Sequence, residues 1–88
     1  MRIDKFLKVS RLIKRREIAK DLCLAGNVLI NEKKAKPMSE VSNGDTIDMK
    51  LGKHSIRLIV NEVREFANKE QALAMYEIIK DDIEAKQC

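Results

Sequence analysis

Ile3, Phe6 and Leu7 recur at helical spacing, and Asp4 stands near the start of that run, which predicts a short helix over residues 3–9. Residues 10–13 read as a turn. The pattern turns helical again over 16–25, where Ile18, Ala19, Leu22 and Ala25 share one face and Arg16 and Lys20 share another, with Glu17 and Asp21 offset beside them. Gly26-Asn27 is a natural terminator, because glycine accepts the left-handed conformation that ends helices. Two short helices joined by a tight turn make a helix-turn-helix-like unit.

Beyond the glycine the period changes from 3.6 to 2. Val28 and Ile30 alternate with Leu29 and Asn31 in a short strand that ends in a turn over 31–34, and Pro37 keeps the next stretch extended or looped. Asn43-Gly44-Asp45 signals another turn before a strand over 46–51, in which Ile47, Met49 and Leu51 point one way. Gly52-Lys53-His54 reverses the chain into a strand over 56–63. Asn68 and Gln71 match a capping box, and Ala72, Met75, Tyr76, Ile79 and Ile83 then follow at i, i+3, i+4 spacing, which predicts a C-terminal helix. The expected architecture is α+β: two N-terminal helices packed on a small antiparallel sheet, with a single domain over 1–66 and an appended helix within 67–88.

Charge adds a functional signal. Residues 1–36 carry eleven Lys and Arg against four Asp and Glu, whereas the rest carry seven against ten. One half suits a polyanion, the other a core or a protein partner. The acidic C-terminal segment, with Glu70, Glu77, Asp81, Asp82 and Glu84, is expected to face away from RNA, so that deleting 68–88 spares RNA affinity. No apolar run approaches the ~20 residues that cross a bilayer, and the opening residues include an acid and no apolar stretch, so a cytoplasmic protein with no membrane partner is expected.

Candidate chemistry narrows the choice further. Cys23 and Cys88 belong to no CxxC pair, so Cys23 reads as a small buried hydrophobe and Cys88 as the chain end. His54 is the one histidine and reads as a solvated turn residue. With no nucleophile-base arrangement, no phosphate loop and no placed carboxylate pair, no catalytic residue, metal or cofactor is expected, and binding is favoured over catalysis. The aromatics are only Phe6, Phe66 and Tyr76, two of them on or beside apolar helix faces, so no stacking platform is expected. The expected ligand is structured RNA held by its phosphates and shape. A double-stranded DNA helix-turn-helix protein and a protein-binding adaptor are the competing classes.

Arg2-Ile3-Asp4-Lys5-Phe6-Leu7, then Arg16, Ala19, Leu22, Gly26, Val28, Ile30 and Asn31, then Gly44-Asp45-Thr46-Ile47, resemble the S-four-type RNA-binding domain, the alpha-L fold first named from a ribosomal small-subunit protein. The resemblance implies an RNA surface made by the two-helix unit and the following strand and loop. It carries over Arg2, Lys5 and Arg16 as contacts. Lys20, Lys33 and Lys34 join the same surface by charge and position, and Lys8, Arg11, Lys14 and Arg15 complete the candidate cationic set. Two positions depart from the family pattern: Arg15 stands where a serine usually precedes the second helix, exchanging a cap for a phosphate donor, and Glu32 stands where glycine commonly follows the strand's asparagine.

Over nearly its whole length, including the opening sixteen residues and Met75-Tyr76 with Ile78-Ile79-Lys80, the chain is similar to the bacterial family of ribosome-associated quality control P proteins, small stand-alone relatives of the heat-shock-type S-four rescue proteins. That resemblance implies binding to large-subunit ribosomal RNA and peptidyl-tRNA on an obstructed large subunit. It also implies action beside the pathway's tRNA-recruiting factor during C-terminal alanine tailing, by a protein expected to be a monomer. The alternatives are a targeting subunit for an rRNA- or tRNA-modifying enzyme and a ribosome assembly factor.

Overall fold

The computed structural model describes residues 1–52 and 54–83. Its first helix, α1 (Ile3–Val9), buries Ile3, Phe6 and Leu7 completely, as side chains at i, i+3 and i+4 must when they share one face of a helix. Ser10 closes it, its hydroxyl donating to the Leu7 carbonyl at 3.2 Å, and Arg11 reverses the chain in the left-handed region at φ 64°. Ile13, also buried, plugs the turn into the core. The second helix, α2 (Arg16–Leu24), starts at Arg15 with no side-chain cap, consistent with the exchange of serine for arginine there. It ends in a Schellman motif: Gly26 lies at φ 80°, its N–H donates to the Cys23 carbonyl, and the Asn27 N–H reaches back to Leu22 at 2.9 Å.

The buried stripe of α2 is Ala19 and Cys23, with Leu22 half-buried; Ile18 and Ala25, expected on the same face, are exposed. A short helix packed on one side buries a narrow stripe, and Ile18, about 100° around from Ala19, falls outside it.

β1 (Val28–Ile30) and β2 (Lys33–Lys34) form a hairpin in which Ile30 faces Lys33, so the turn expected over 31–34 is confined to Asn31 and Glu32, and Lys33 and Lys34 pair back onto β1. Both turn residues adopt positive φ, 50° and 70°, the requirement of the primed turn that matches strand twist. Asn31 tolerates this conformation; Glu32 holds it without the freedom of glycine. The Asn31 side chain fastens the turn to β3, donating to Asp45 at 3.2 Å and accepting the Thr46 N–H at 3.0 Å.

β3 (Thr46–Leu51) and β4 (His54–Val60) pair along six positions, burying Ile47, Met49, Ile56, Leu58 and Val60 against the helices. β4 starts two residues earlier than its sequence pattern predicts and stops at Val60, because the Asn61 and Glu62 N–H groups both turn to the Met75 carbonyl, at 2.8 and 3.3 Å. His54 is therefore a strand residue and not a turn residue, and its Nε2 contacts Asp81 on the next strand.

The largest departure is at the C-terminal end. The capping box is present, with Asn68 accepting the Gln71 N–H at 2.8 Å, and it opens α3, but this helix is only Lys69–Ala74. Tyr76–Ile83 is the strand β5, which pairs antiparallel with β4 and completes a sheet of order β2-β1-β3-β4-β5. The predicted long helix is therefore corrected to one short helix and one edge strand. The physical reason is that β4 would otherwise present an unpaired edge, and Ile78-Ile79 are β-branched residues suited to fill it. Met75, at the junction, is fully buried. Deleting 68–88 would strip both a core residue and a strand, so it does not isolate RNA binding from folding. Glu84 and Cys88 lie outside the described residues.

Candidate nucleic-acid interface

Lys5 and Lys8 lie three residues apart on α1 and so project from one face. The turn after α1 adds Arg11 and Lys14, and the first turn of α2 adds Arg16. These five side chains converge on a groove of about 710 Å³, whose other lining residues are Val9, Ile13, Glu65, Phe66 and Ala67. Its lining thus combines five cations with four apolar residues and a single carboxylate.

Arg16 is not a free surface charge. Its Nη2 donates to Asp4 Oδ1 at 3.3 Å, while Arg2 Nη2 donates to Oδ2 of the same carboxylate at 3.2 Å and the Lys5 N–H reaches Oδ1 at 2.8 Å. Asp4 is buried, with 3% of its side chain exposed, whereas both guanidinium side chains are nearly half exposed. A buried carboxylate needs such partners, and in satisfying it the arginines acquire fixed positions with their remaining donors toward solvent. Asp4 thus does more than mark a helix start. It clamps α1 to α2 and aims two cations.

The other candidates are dispersed. Arg15 and Lys20 are exposed beside and on α2, outside the groove lining, and Lys33 and Lys34 stand exposed on β2, where Lys34 passes beneath Gly26. The structure brings Lys5, Lys8, Arg11, Lys14 and Arg16 together, sets Arg2 next to them through Asp4, and leaves the remaining four on neighbouring ground.

Two residues of the groove escaped the sequence pattern. Glu65 contacts Lys5 Nζ, and that hydrogen bond and charge hold its carboxyl below the usual range. Phe66, outside the predicted helices, stands 87% exposed in the groove lining. The available signal was negative: Phe66 sits between Glu65 and Asn68 in a segment without apolar periodicity, so no core face claimed it.

Cys23 is buried, and burial, with the Asp4 carboxylate nearby as the lesser cause, pushes its thiol up to about 11. A thiol so shifted is neutral and unreactive at physiological pH. Among the described residues no group of His, Cys, Asp or Glu is placed to hold a metal ion, and no helix is long and apolar enough to cross a membrane.

Comparison with known proteins agrees with the fold. Residues 1–47, which span α1, α2, the hairpin and the entry to β3, match the S4 domain family. The chain is 45% identical over 82 residues to the RQC P-site tRNA stabilizing factor of Bacillus subtilis, covering 93% of this chain and 95% of that one. Among solved structures it is similar to Vibrio cholerae Heat Shock Protein 15, with a TM-score of 0.82 at 26% identity over 89% of this chain and 80% of that one. It is also similar to the hypothetical protein HP1423, with a TM-score of 0.78 at 31% identity over 93% of this chain and the whole of that one.

Proposed function

The chain belongs to the S4 domain family and, within it, to the proteins named RQC P-site tRNA stabilizing factor, and from that membership we propose that it binds RNA on large ribosomal subunits obstructed by peptidyl-tRNA. There it steadies the P-site tRNA, beside the pathway's tRNA-recruiting factor, while the stalled chain receives its alanine tail in the cytoplasm. It acts by binding, without catalysis of its own. Residues 1–66 supply the RNA contacts, with Lys8, Arg11, Lys14 and Arg16 on phosphates and Arg2, Lys5, Arg15, Lys20, Lys33 and Lys34 around them.

One observation carries this reading: five cationic side chains from two helices and their turn meet in a single groove. Such a concentration of positive charge costs self-repulsion in the free protein and is compensated by a polyanion. Helix α1 and the turn fix the spacing of the cations, so the surface suits a rigid, folded RNA better than a flexible strand.

Sedimentation tests it. Tagged protein should travel with large subunits that carry tRNA, and an Arg11→Ala/Lys14→Ala double variant that folds normally should not. Equal co-sedimentation of parent and double variant would sink the proposal.

A further inference from the structure

Phe66 is the most exposed large apolar side chain among the described residues, and each residue beside it makes a contact of its own. Glu65 contacts Lys5 and Ala67 packs against the hydrophobic core, while Phe66 between them lines the groove. Single exposed apolar residues are common and by themselves need no explanation. This one is different in its surroundings: Lys8, Arg11, Lys14 and Arg16 line the same groove, together with Val9, Ile13 and Ala67. An aromatic ring flanked by phosphate-binding cations is the arrangement that takes a nucleotide by both of its ends, the base on the ring and the phosphates on the charges.

We propose that Phe66 is a stacking platform for one unpaired base of the bound RNA, with Lys8, Arg11 and Lys14 engaging the phosphates beside it. The inference rests on the RNA-binding reading of this groove and adds to it a preference for a looped or flipped-out nucleotide over a continuous duplex. The positive charge selects RNA over an apolar protein segment as the occupant. A protein segment facing these residues would need to bring its own carboxylates, whereas a nucleotide carries its anion with its π-face.

The full chain is titrated with an RNA hairpin bearing unpaired loop nucleotides and with a fully paired duplex of the same length. The protein lacks tryptophan, so Phe66→Trp introduces a single reporter whose emission should be quenched by the loop RNA, at parental affinity. Phe66→Ala and Phe66→Leu should bind the loop roughly 5- to 100-fold more weakly and the duplex as the parent does. Neither should change the slope of log affinity against log salt, because no phosphate contact is removed.

If both Phe66 variants bind the loop as the parent does while Lys14→Ala binds it less, stacking is overturned and the RNA reading stands. Full affinity in Phe66→Leu but not in Phe66→Ala would show apolar contact without stacking and overturns the proposal too. Loss of co-sedimentation with tRNA-bearing subunits at unchanged loop affinity would assign Phe66 to a protein. If Lys14→Ala and Arg11→Ala also leave affinity and salt slope untouched, the RNA reading itself has failed.

Discussion

The helical side and the sheet side of this molecule handle charge in opposite ways. On the sheet side charges are held in pairs: across strands, Arg57 of β4 donates to Asp48 of β3 at 2.7 Å and His54 of β4 contacts Asp81 of β5, and in the segment after β4 Arg64 donates to Glu62 at 2.7 Å. Asp48 also holds the Arg57 guanidinium more firmly protonated. On the helical side Lys8, Arg11, Lys14, Arg15 and Lys20 make no ion pair with any described residue. Cross-strand pairs of opposite charge favour the sheet register that aligns them, and they cancel the field that a ligand would feel. Unpaired cations do the reverse. The same residue types are engaged by the fold on one side and left open to a ligand on the other, and Asp4, holding the half-exposed Arg2 and Arg16, stands at the border.

The comparison breaks first if the core beneath both regions fails. Phe6→Ala, at a fully buried position on α1, should cost about 3–5 kcal/mol and lower the melting temperature sharply, taking RNA binding with it. Leu22→Ala, at a half-buried position, should cost clearly less; an equal loss in chemical denaturation would show that α2 buries more than Ala19 and Cys23.

Alkaline pH probes the same junction. Because the Cys23 thiol is pushed up to about 11 from an ordinary 9.0, the unfolded chain loses that proton before the folded one does. The resulting stability is complete below about pH 9 and is lost as pH rises through 11, amounting to at most about 3 kcal/mol. Denaturation curves across that window should flatten in Cys23→Ala, relative to the parent. An identical pH dependence in the two proteins would remove Cys23 as the cause.

Asp4→Asn separates charge from position. It raises the net charge by one, which on charge alone strengthens RNA binding, yet it releases Arg2 and Arg16 from their shared carboxylate. The expected result is a loss of about 1–3 kcal/mol in stability together with weaker RNA binding. Tighter binding would mean that the clamp is dispensable and only the field matters.

Smaller effects sharpen the contrast between the sides. Lys8→Ala, Arg11→Ala and Lys14→Ala should each leave stability within about 0.5 kcal/mol and reduce the salt slope by roughly 0.7 to 0.9. Arg57→Ala should leave the slope unchanged, and a reduction there would place RNA on the sheet. The smallest change expected is a gain: Glu65→Gln frees Lys5 and should tighten RNA binding roughly two- to five-fold, as the loss of an exposed competing pair allows.

Much of the fold was written locally. The bounds of α1 and β3 follow from their own apolar periods, and Gly26 ends α2 as its conformational freedom allows. Residues 76–83 were not legible in that way. Met75, Tyr76 and Ile79 satisfy a helical period, and a capping box does start a helix just upstream, but periodicity cannot register that β4 has an open edge within reach. Hydrogen-bonding demand from a strand distant in sequence overrode a local preference. The cationic surface was legible as composition but not as a site.

The sequence by itself determined the class of fold, the two-helix unit, the strand β1 and the excess of positive charge over residues 1–36, because each depends on neighbours within a few turns of chain. Only the tertiary structure decided that Arg2 and Arg16 share the buried carboxylate of Asp4, that Glu65 holds Lys5, and that Phe66 joins five cations on one groove. Those arrangements bring together residues 12 and 60 positions apart in the chain. No local period encodes such a meeting; it follows from the packing that fixes where the segment after β4 crosses the face of α1.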